Sequence, residues 1–346
     1  MKAAITDGKG NVWLAEAPMP DPNEYQCLCR ITACATCTGT DQKHIHNQLP
    51  WRQNYPGVLG HESVGVVIKT GTKVRYIKEG EVYLRPTAVY PGEKLGDYFS
   101  MWGGFAEYGL LTDVRALKED RPDATPNGYC RFQQKLPPNA PISPADATAL
   151  ITLKETASYV ASAGVKLCSS LALLGAGSVA ICMCRFAKIF GAYPVIMAAR
   201  RDEQLAYARE RIGADFTVNV TSENLAARVK EITAGNGVDF LIDTTGDAEF
   251  LRDALVVLSP TGKVAAYATY KNSEIVKKLI PAERLVGAAT GEDIAHQYML
   301  DAVRMGLVKL SDFYSHRLPL SKIKEGFDML QKKTAFKVVF EMEGKQ

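Results

Sequence analysis

The chain has 346 residues, of which 47% are hydrophobic and 23% are charged, a composition typical of globular proteins with room for two domains. Its 41 basic and 38 acidic residues nearly balance, and no long block of Lys and Arg occurs, which argues against nucleic acid as a partner. The amino terminus lacks an export signal and no segment is apolar for long enough to span a bilayer, so we expect a cytoplasmic protein with no membrane partner.

Up to about residue 146, short apolar runs are separated by Gly and Pro. The runs are "AAITD", "QCLCRITA", "SVGVVIKTG", "EVYLRP" and "GFAEYGLL". This pattern predicts a domain of mostly antiparallel β-structure. Within it, residues 113–140 are rich in charge, Pro and Asn, and we expect them to form an exposed excursion.

From about Leu171 the chain alternates between apolar strand and helix patterns, beginning with "LALLG", "PVIMAA", "FTVNV", "VDFLIDTTG" and "KVAAYAT". Such alternation predicts a doubly wound parallel sheet with right-handed crossovers. The tail returns to mixed elements, with a predicted helix "IAHQYMLDAVRMG" and a closing strand "FKVVFEM". The fold class predicted for the whole chain is therefore α/β.

A candidate metal site is scattered over the first part of the chain. Cys34 and Cys37 have the Cys-x-x-Cys spacing, which thiol exchange, zinc binding and plain packing all use. His61 and Glu62 stand in a glycine-bracketed turn, and the thiolate of Cys37 with the imidazole of His61 would suit zinc. A catalytic zinc takes about three protein ligands, and Glu155 is the candidate for the third. A surface loop at the turn and an exposed helix position for Glu155 are the alternatives.

A glycine-rich turn follows the strand "LALL". Gly175 and Gly177 with Ala180 give the G-x-G-x-x-G/A pattern, in which the first glycine permits a tight turn and the second lets the backbone approach a pyrophosphate. The following helix would offer free N–H groups to the phosphate charge. The placement between strand and helix favours a dinucleotide site over a purely steric use of the glycines.

The end of the second strand bears on the choice of cofactor. An NAD site usually has Asp or Glu there, about 20 residues past the glycines, to bind the ribose 2′-hydroxyl. Here Ala199, Arg200 and Arg201 occupy the turn, and we expect Asp202 to begin the next helix. Two guanidinium groups suit a 2′-phosphate, so NADP(H) is favoured and NAD remains possible. The alternative is two solvated arginines in a loop.

The motifs "CTGTD", "GHESVGVV", "GGFAEY", "GAGSVA", "IGAD" and "FKVVFEM" occur in this order along the chain. Together they resemble the zinc-dependent medium-chain alcohol and polyol dehydrogenases over essentially the whole length. The resemblance implies a GroES-like catalytic domain at residues 1–150, a Rossmann domain at 151–288 and a return to the catalytic domain at 289–346. It also implies a homodimer or homotetramer.

The resemblance implies a role for each residue of the candidate metal site. Cys37, His61 and Glu155 match the ligands of one catalytic zinc, and Glu62 matches an acidic neighbour that can approach or replace a ligand. Thr40 matches the residue that takes the proton of the substrate alcohol and so begins a proton relay. Asp41 matches the carboxylate that orients the zinc-bound histidine.

The same resemblance places the cofactor phosphates over residues 175–179 and makes the turns 244–246 and 266–270 its borders. It also implies that the lysine of the closing strand reaches those phosphates. The predicted cofactor-binding residues are Gly175, Ala176, Gly177, Ser178, Val179, Ala199, Arg200, Arg201, Thr244, Thr245 and Lys337.

The chain departs from the family pattern at three places. Thr38 and Gly39 both stand between Cys37 and Thr40, where one residue is usual, so the geometry of Thr40 is open. The position two residues past Asp41 is often a histidine of the proton relay in this family. Here it holds Lys43, and a histidine follows only one residue later. Residues 85–103, where four cysteines usually hold a structural zinc, contain none, so that metal is expected to be absent.

The predicted activity is hydride transfer between NADP(H) and a primary or secondary alcohol. Glutamate as third ligand resembles the sorbitol-type enzymes and indicates a polyol or sugar-derived alcohol and its ketone. A zinc-free quinone or enoyl reductase of the same superfamily is the first alternative. A methyltransferase would want an acid where Ala199 stands, and a non-catalytic NADPH-binding protein is the last alternative.

Overall fold

The computed structural model describes residues 1–138, 140, 142–270 and 274–343. The chain forms two compact units, Met1–Ile151 with Tyr314–Gln346 and Thr152–Phe313. The first division lies next to the expected boundary at residue 150, and the chain returns to the first unit at Tyr314, later than the expected residue 289. No helix of the described residues is long and apolar enough to cross a membrane.

The described residues form strands throughout, and most of the helices lie after residue 143. In chain order the strands are β1 (Lys2–Thr6), β2 (Val12–Glu16), β3 (Gln26–Ala35), β4 (Gly57–Val58), β5 (Glu62–Thr70), β6 (Val82–Leu84), β7 (Lys94–Leu95), β8 (Tyr98–Ser100), β9 (Tyr108–Thr112), β10 (Leu171–Leu174), β11 (Val195–Ala199), β12 (Phe216–Asn219), β13 (Val238–Asp243), β14 (Leu258–Ala266), β15 (His316–Pro319) and β16 (Val338–Glu341). The α-helices are α1 (Thr38–Ile45), α2 (Val114–Asp120), α3 (Pro144–Ser162), α4 (Ser178–Ile189), α5 (Asp202–Tyr207), α6 (Leu225–Ile232), α7 (Ala248–Ala254), α8 (Glu274–Leu279), α9 (His296–Arg304) and α10 (Ile323–Gln331).

The first unit contains two sheets that are mostly antiparallel, as predicted. One has the strand order β2-β1-β4-β8-β7, and the other has the order β15-β16-β3-β5-β6 with β9 paired to β3. Strand β3 shows why the chain folds this way, because Cys27, Cys29 and Ile31 alternate with partly exposed residues and are fully buried. Burial raises the pKa of the Cys27 thiol to about 12, in keeping with the role of a small apolar side chain.

The second unit contains a parallel sheet of order β12-β11-β10-β13-β14, which confirms the predicted Rossmann-like alternation. Every pairing along it is parallel, and β10 and β11 are buried along their whole length, as expected for inner strands of such a sheet. Strand β10 is central, and its neighbours are the second and fourth strands of the unit. The order reverses at β10, so a ligand crevice is expected at its carboxyl end.

Residues 113–140 are only partly an exposed excursion, so that expectation needs correction. The charged and Pro-rich stretch 121–123 is exposed, but Tyr129 and Cys130 are each 6% exposed. They lie in a 3-10 turn, Gly128–Phe132, and pack with Tyr90 and Leu110. Aromatic side chains bury this stretch despite its polar surroundings. Asn139 lies outside the described residues.

Candidate active site

The metal-type side chains of the first unit converge. Ligand atoms of Cys37, His61 and Glu62 lie within 4.8 Å of one another. The sheet brings them together because Ala35, at the end of β3, is the partner of Glu62 at the start of β5. Gly60 turns the chain into β5 with φ +95, and a Cβ there would lie 2.7 Å from the backbone nitrogen of Phe105. This turn therefore requires glycine.

Asp41 and His61 face each other inside the site. Oδ1 of Asp41 lies 3.7 Å from Nδ1 of His61, and neither atom has a hydrogen-bond partner among the described residues. Oδ2 of Asp41 accepts a hydrogen bond of 2.8 Å from the backbone N–H of Cys37. Burial raises the pKa of Asp41 to about 8, and burial together with nearby Arg85 holds the pKa of His61 well below its usual range. A neutral imidazole is the form that binds metals.

The extra residue after Cys37 does not carry Thr40 away from the site. Cys37 precedes α1, and Thr40 lies in the first turn of that helix. The thiol of Cys37 donates a hydrogen bond of 3.4 Å to Oγ1 of Thr40. The hydroxyl group is therefore adjacent to the candidate ligand.

Lys43 and His44 occupy different environments. His44 is buried, its Nδ1 lies 2.7 Å from Oε1 of Gln53, and burial lowers its pKa to about 4. Lys43 is only half-buried. The rings of His44 and His61 both meet Trp102 edge-on, each with a centroid distance of 4.7 Å. Trp102 thus forms a shared wall for the two histidines.

Arg85 is a site residue that the sequence did not reveal. Its guanidinium is buried and donates a hydrogen bond of 2.8 Å from Nη1 to the backbone carbonyl of His61. It also lies 5.3 Å from the ring centroid of Phe132 and 5.9 Å from that of Tyr129. Arginine after a strand is usually solvated, and nothing in "EVYLRP" marks this one as buried. The 3-10 turn 128–132 therefore supports the backbone of His61 through Arg85.

Lys337 binds side-chain and backbone partners within the first unit. It forms an ion pair with Glu62, and its Nζ donates a hydrogen bond of 2.9 Å to the carbonyl of Thr36. The predicted partner was a cofactor phosphate. Since the ammonium group is buried against Glu62, binding a phosphate would require Lys337 to change partners.

The glycine-rich turn lies at the carboxyl end of β10. Gly175 has φ +105, and a Cβ there would lie 2.6 Å from Oγ1 of Thr244. Gly177 precedes α4 and has an ordinary φ of −81. Apart from the adjoining residues of the chain, no atom of the described residues lies within 4 Å of where its Cβ would be. Ala180 is buried, so the turn packs its helix closely and leaves the space over Gly177 open.

The turn after β13 is fixed by Asp243, another residue that the sequence analysis missed. The buried carboxylate accepts hydrogen bonds from the backbone N–H groups of Thr245 and Gly246, both at 3.0 Å, and from the hydroxyl of Tyr270. Oγ1 of Thr244 donates to the carbonyl of Leu174 at 2.7 Å. The predicted border 244–246 is thereby tied to β10.

The remaining predicted positions of the glycine-rich turn, Ala176 and Ser178 (buried) and Val179 (half-buried), lie at or next to the start of α4.

The turn after β11 agrees in part with the sequence analysis. Ala199 ends β11, and Asp202 begins α5 as expected. The carboxylate of Asp202 is turned to the next strand, since its Oδ1 accepts a hydrogen bond of 2.7 Å from Nδ2 of Asn219. Arg201 directly precedes α5 and is half-buried, while Nη2 of Arg200 lies 3.0 Å from Oδ2 of Asp247.

Glu155 lies in the second unit, in helix α3, and is half-buried. It is not one of the three residues of the metal-type cluster found among the described residues. Its neighbour Lys154 is fully buried, and Nζ of Lys154 lies 3.4 Å from Oε1 of Glu292. Ligation by Glu155 stays a prediction.

The described residues thus combine an antiparallel β unit that carries a Cys-His-Glu cluster with a Rossmann-like unit. Two family models match the chain, an alcohol dehydrogenase GroES-like domain over residues 23–120 and a zinc-binding dehydrogenase domain over residues 178–300. The chain belongs to the zinc-type medium-chain dehydrogenases. The predicted GroES-like and Rossmann fold and the assignment as an enzyme are thereby confirmed.

Relatives and solved structures agree with this assignment. The chain is 27% identical to L-threonine 3-dehydrogenase of Pyrococcus abyssi (strain GE5 / Orsay) over 94% of each chain. It is 26% identical to sorbitol dehydrogenase of Bombyx mori over 99% of this chain and 98% of that one. The alcohol dehydrogenase TADH from Thermus sp. ATN1 has a TM-score of 0.78 at 23% identity, with 99% of this chain and 100% of that chain covered.

Proposed function

We propose that this protein is a zinc-dependent dehydrogenase that transfers a hydride between NADP(H) and a primary or secondary alcohol. The observation that carries the proposal is the cluster of Cys37, His61 and Glu62 with the Asp41 carboxylate facing His61. A thiolate, an imidazole and a carboxylate form a donor set suited to zinc. The unpartnered Nδ1 of His61 and Oδ1 of Asp41 fit a site in which the other ring nitrogen, Nε2, binds a metal.

The residues divide into ligands and supports. Cys37 and His61 would hold one catalytic ion, with Glu155 as the predicted third ligand and Glu62 as the neighbour able to replace a ligand. A bound zinc ion supplies a Lewis acid that lowers the pKa of an alcohol oxygen. Thr40, adjacent to Cys37, accepts the proton of the substrate alcohol and passes it outward.

The cofactor proposal rests on the second unit. The open backbone of the 175–179 turn at the start of α4 suits a diphosphate, because helix N–H groups and the helix dipole favour negative charge. Arg200 and Arg201 stand where an NAD site usually has an acid. The nearest carboxylate along the chain is that of Asp202, and it accepts a hydrogen bond from Asn219. These features support NADP(H) over NAD.

For the substrate we infer a polyol or a sugar-derived alcohol and the corresponding ketone. The support is the predicted glutamate ligand and the similarity to a sorbitol dehydrogenase. The similarity to L-threonine 3-dehydrogenases favours a second candidate, a β-hydroxy amino acid. We further propose a cytoplasmic homodimer or homotetramer, which light scattering of the purified protein would test.

A dehydrogenase screen tests the function. Purified protein is assayed with NADP and NAD against polyols, sugars, simple alcohols and L-threonine. We expect alcohol-dependent reduction that is faster with NADP and is lost after chelation. Equal or better rates with NAD would contradict the cofactor proposal. Activity that resists chelation would favour a zinc-free reductase, and no activity with bound zinc and cofactor would favour a binding protein.

A further inference from the structure

In the second unit, an ion pair joins the two segments that follow the strands on either side of β10. Arg200 directly follows β11, and Asp247 lies four residues beyond Asp243, the last residue of β13. Since β11 and β13 are the neighbours of β10, the contact of 3.0 Å between Nη2 and Oδ2 passes the carboxyl end of β10. The glycine-rich turn begins at the same place. The pair therefore lies at the edge where the crevice of such a sheet binds its ligand.

The two partners differ in how firmly they are held. Asp247 precedes α7, and its Oδ1 accepts a hydrogen bond of 3.1 Å from the backbone N–H of Phe250 as a helix cap. Its own N–H donates to Oγ1 of Thr245 at 3.1 Å. The Arg200 side chain, by contrast, is 66% exposed. Arg200 is thus the partner that can move.

Exchange of partners at Arg200 is chemically favourable. An exposed carboxylate–guanidinium pair contributes little, whereas a phosphate dianion forms stronger, bidentate hydrogen bonds with the same group. The carboxylate of Asp202 accepts a hydrogen bond from Asn219, whereas the carboxylate of Asp247 is the one in contact with Arg200. Asp247 is accordingly the carboxylate that competes with an incoming 2′-phosphate for Arg200.

We propose that Asp247 is a specificity-determining residue, which holds Arg200 in the free protein and yields it to the 2′-phosphate of NADP(H). NAD has no 2′-phosphate and leaves Arg200 on Asp247. The negative charge of Asp247 opposes the phosphate by competing for Arg200, so it limits the affinity for NADP(H). The inference rests on the proposed NADP(H) function.

The first test is Asp247→Asn, which removes the charge and keeps a side chain that caps helices well. Dissociation constants for NADP and NAD are measured by calorimetry, with 2′,5′-ADP and 5′-AMP as fragment probes. We expect NADP and 2′,5′-ADP to bind about two- to fivefold more tightly, with NAD and 5′-AMP unchanged. Glu249→Gln, which removes an exposed charge from the same helix turn, is the control and should change nothing. Asp247→Ser also preserves a cap and replaces the first variant if that one does not fold.

A double-mutant cycle with Arg200→Met shows whether the effect passes through Arg200. Arg200→Met should weaken NADP binding about tenfold or more, and Asp247→Asn should then have no further effect on it. Unchanged or weaker NADP binding in Asp247→Asn would overturn the inference while leaving the proposed function intact. Failure of the wild-type protein to bind either dinucleotide would overturn both.

Discussion

Lys337 and Glu62 form an ion pair inside the first unit, and each side chain is only 2% exposed. The two residues lie at opposite ends of the chain, on β5 and just before β16, and both of these strands pair with β3. The pair places a positive charge beside one of the three metal-type side chains. It therefore balances the negative charge that Glu62 brings to the cluster.

Replacing Lys337 with Met should destabilise the protein strongly, because the buried carboxylate of Glu62 would lose its ion pair with Lys337. We expect a loss of about 3–5 kcal/mol in the free energy of unfolding, measured with urea. Adding Glu62→Gln to that variant should restore part of the loss. Lys322→Met, which breaks an exposed pair with Glu325, is the control and should cost at most about 1 kcal/mol. A Lys337→Met protein as stable as the control would contradict this account of the pair.

Gly175 and Gly177, the two glycines of the glycine-rich turn, should respond differently to substitution by alanine. Gly175→Ala imposes a Cβ at a positive φ and close to Thr244, and should cost about 1–3 kcal/mol of stability. Gly177→Ala meets open space at an ordinary φ, so its stability should fall by at most about 1 kcal/mol, the cost of a poorer helix cap. Its affinity for NADP should nevertheless fall, because the added methyl group occupies the space proposed for the diphosphate. Urea unfolding and cofactor titration separate the two effects. Wild-type NADP affinity in Gly177→Ala would rule out this turn as the phosphate site.

Asp41→Asn should weaken zinc binding and leave the fold intact. The amide oxygen can still accept the hydrogen bond from Cys37, but the carboxylate that faces His61 is lost. Loss of such a support typically lowers metal affinity about 10- to 100-fold. Competition with a chelator measures the affinity, and the exposed Asp123→Asn serves as control. An Asp41→Asn protein with wild-type zinc affinity would show that Asp41 does not orient the ligand.

Cys37→Ser should lose zinc and activity together, whereas Cys34→Ala should keep both. Cys34 is fully buried in β3, and burial raises its pKa well above the usual range, which is the behaviour of an apolar side chain. Cys37 lies in the metal-type cluster. Metal analysis and alcohol-dependent NADP reduction give the two readouts. If the two variants exchanged these outcomes, the assignment of Cys37 would be wrong.

Local patterns were enough to predict much of the fold. The alternating burial of β3 and the strand-helix rhythm after Leu171 both follow from residue spacing, and both are confirmed. The start of α5 at Asp202 was also predictable, since helix ends have local signals. Cys37, Thr40 and Asp41 were predicted together because they share one short motif.

Contacts between distant residues were not predictable. Lys337 pairs with Glu62 through the sheet, and no local signal in "FKVVFEM" distinguishes a buried lysine from a phosphate-binding one. The rings of Tyr129 and Phe132 lie over the guanidinium of the buried Arg85, and they belong to a segment whose composition indicated exposure. Such interactions depend on the completed tertiary structure.

The most direct test of the proposed zinc-dependent chemistry is the zinc content of the purified protein, measured with its activity before and after chelation. We expect on the order of one equivalent per chain, loss of alcohol-dependent NADP reduction when zinc is removed, and recovery when zinc is restored. Clearly less than one equivalent, together with activity that chelators do not affect, would contradict it.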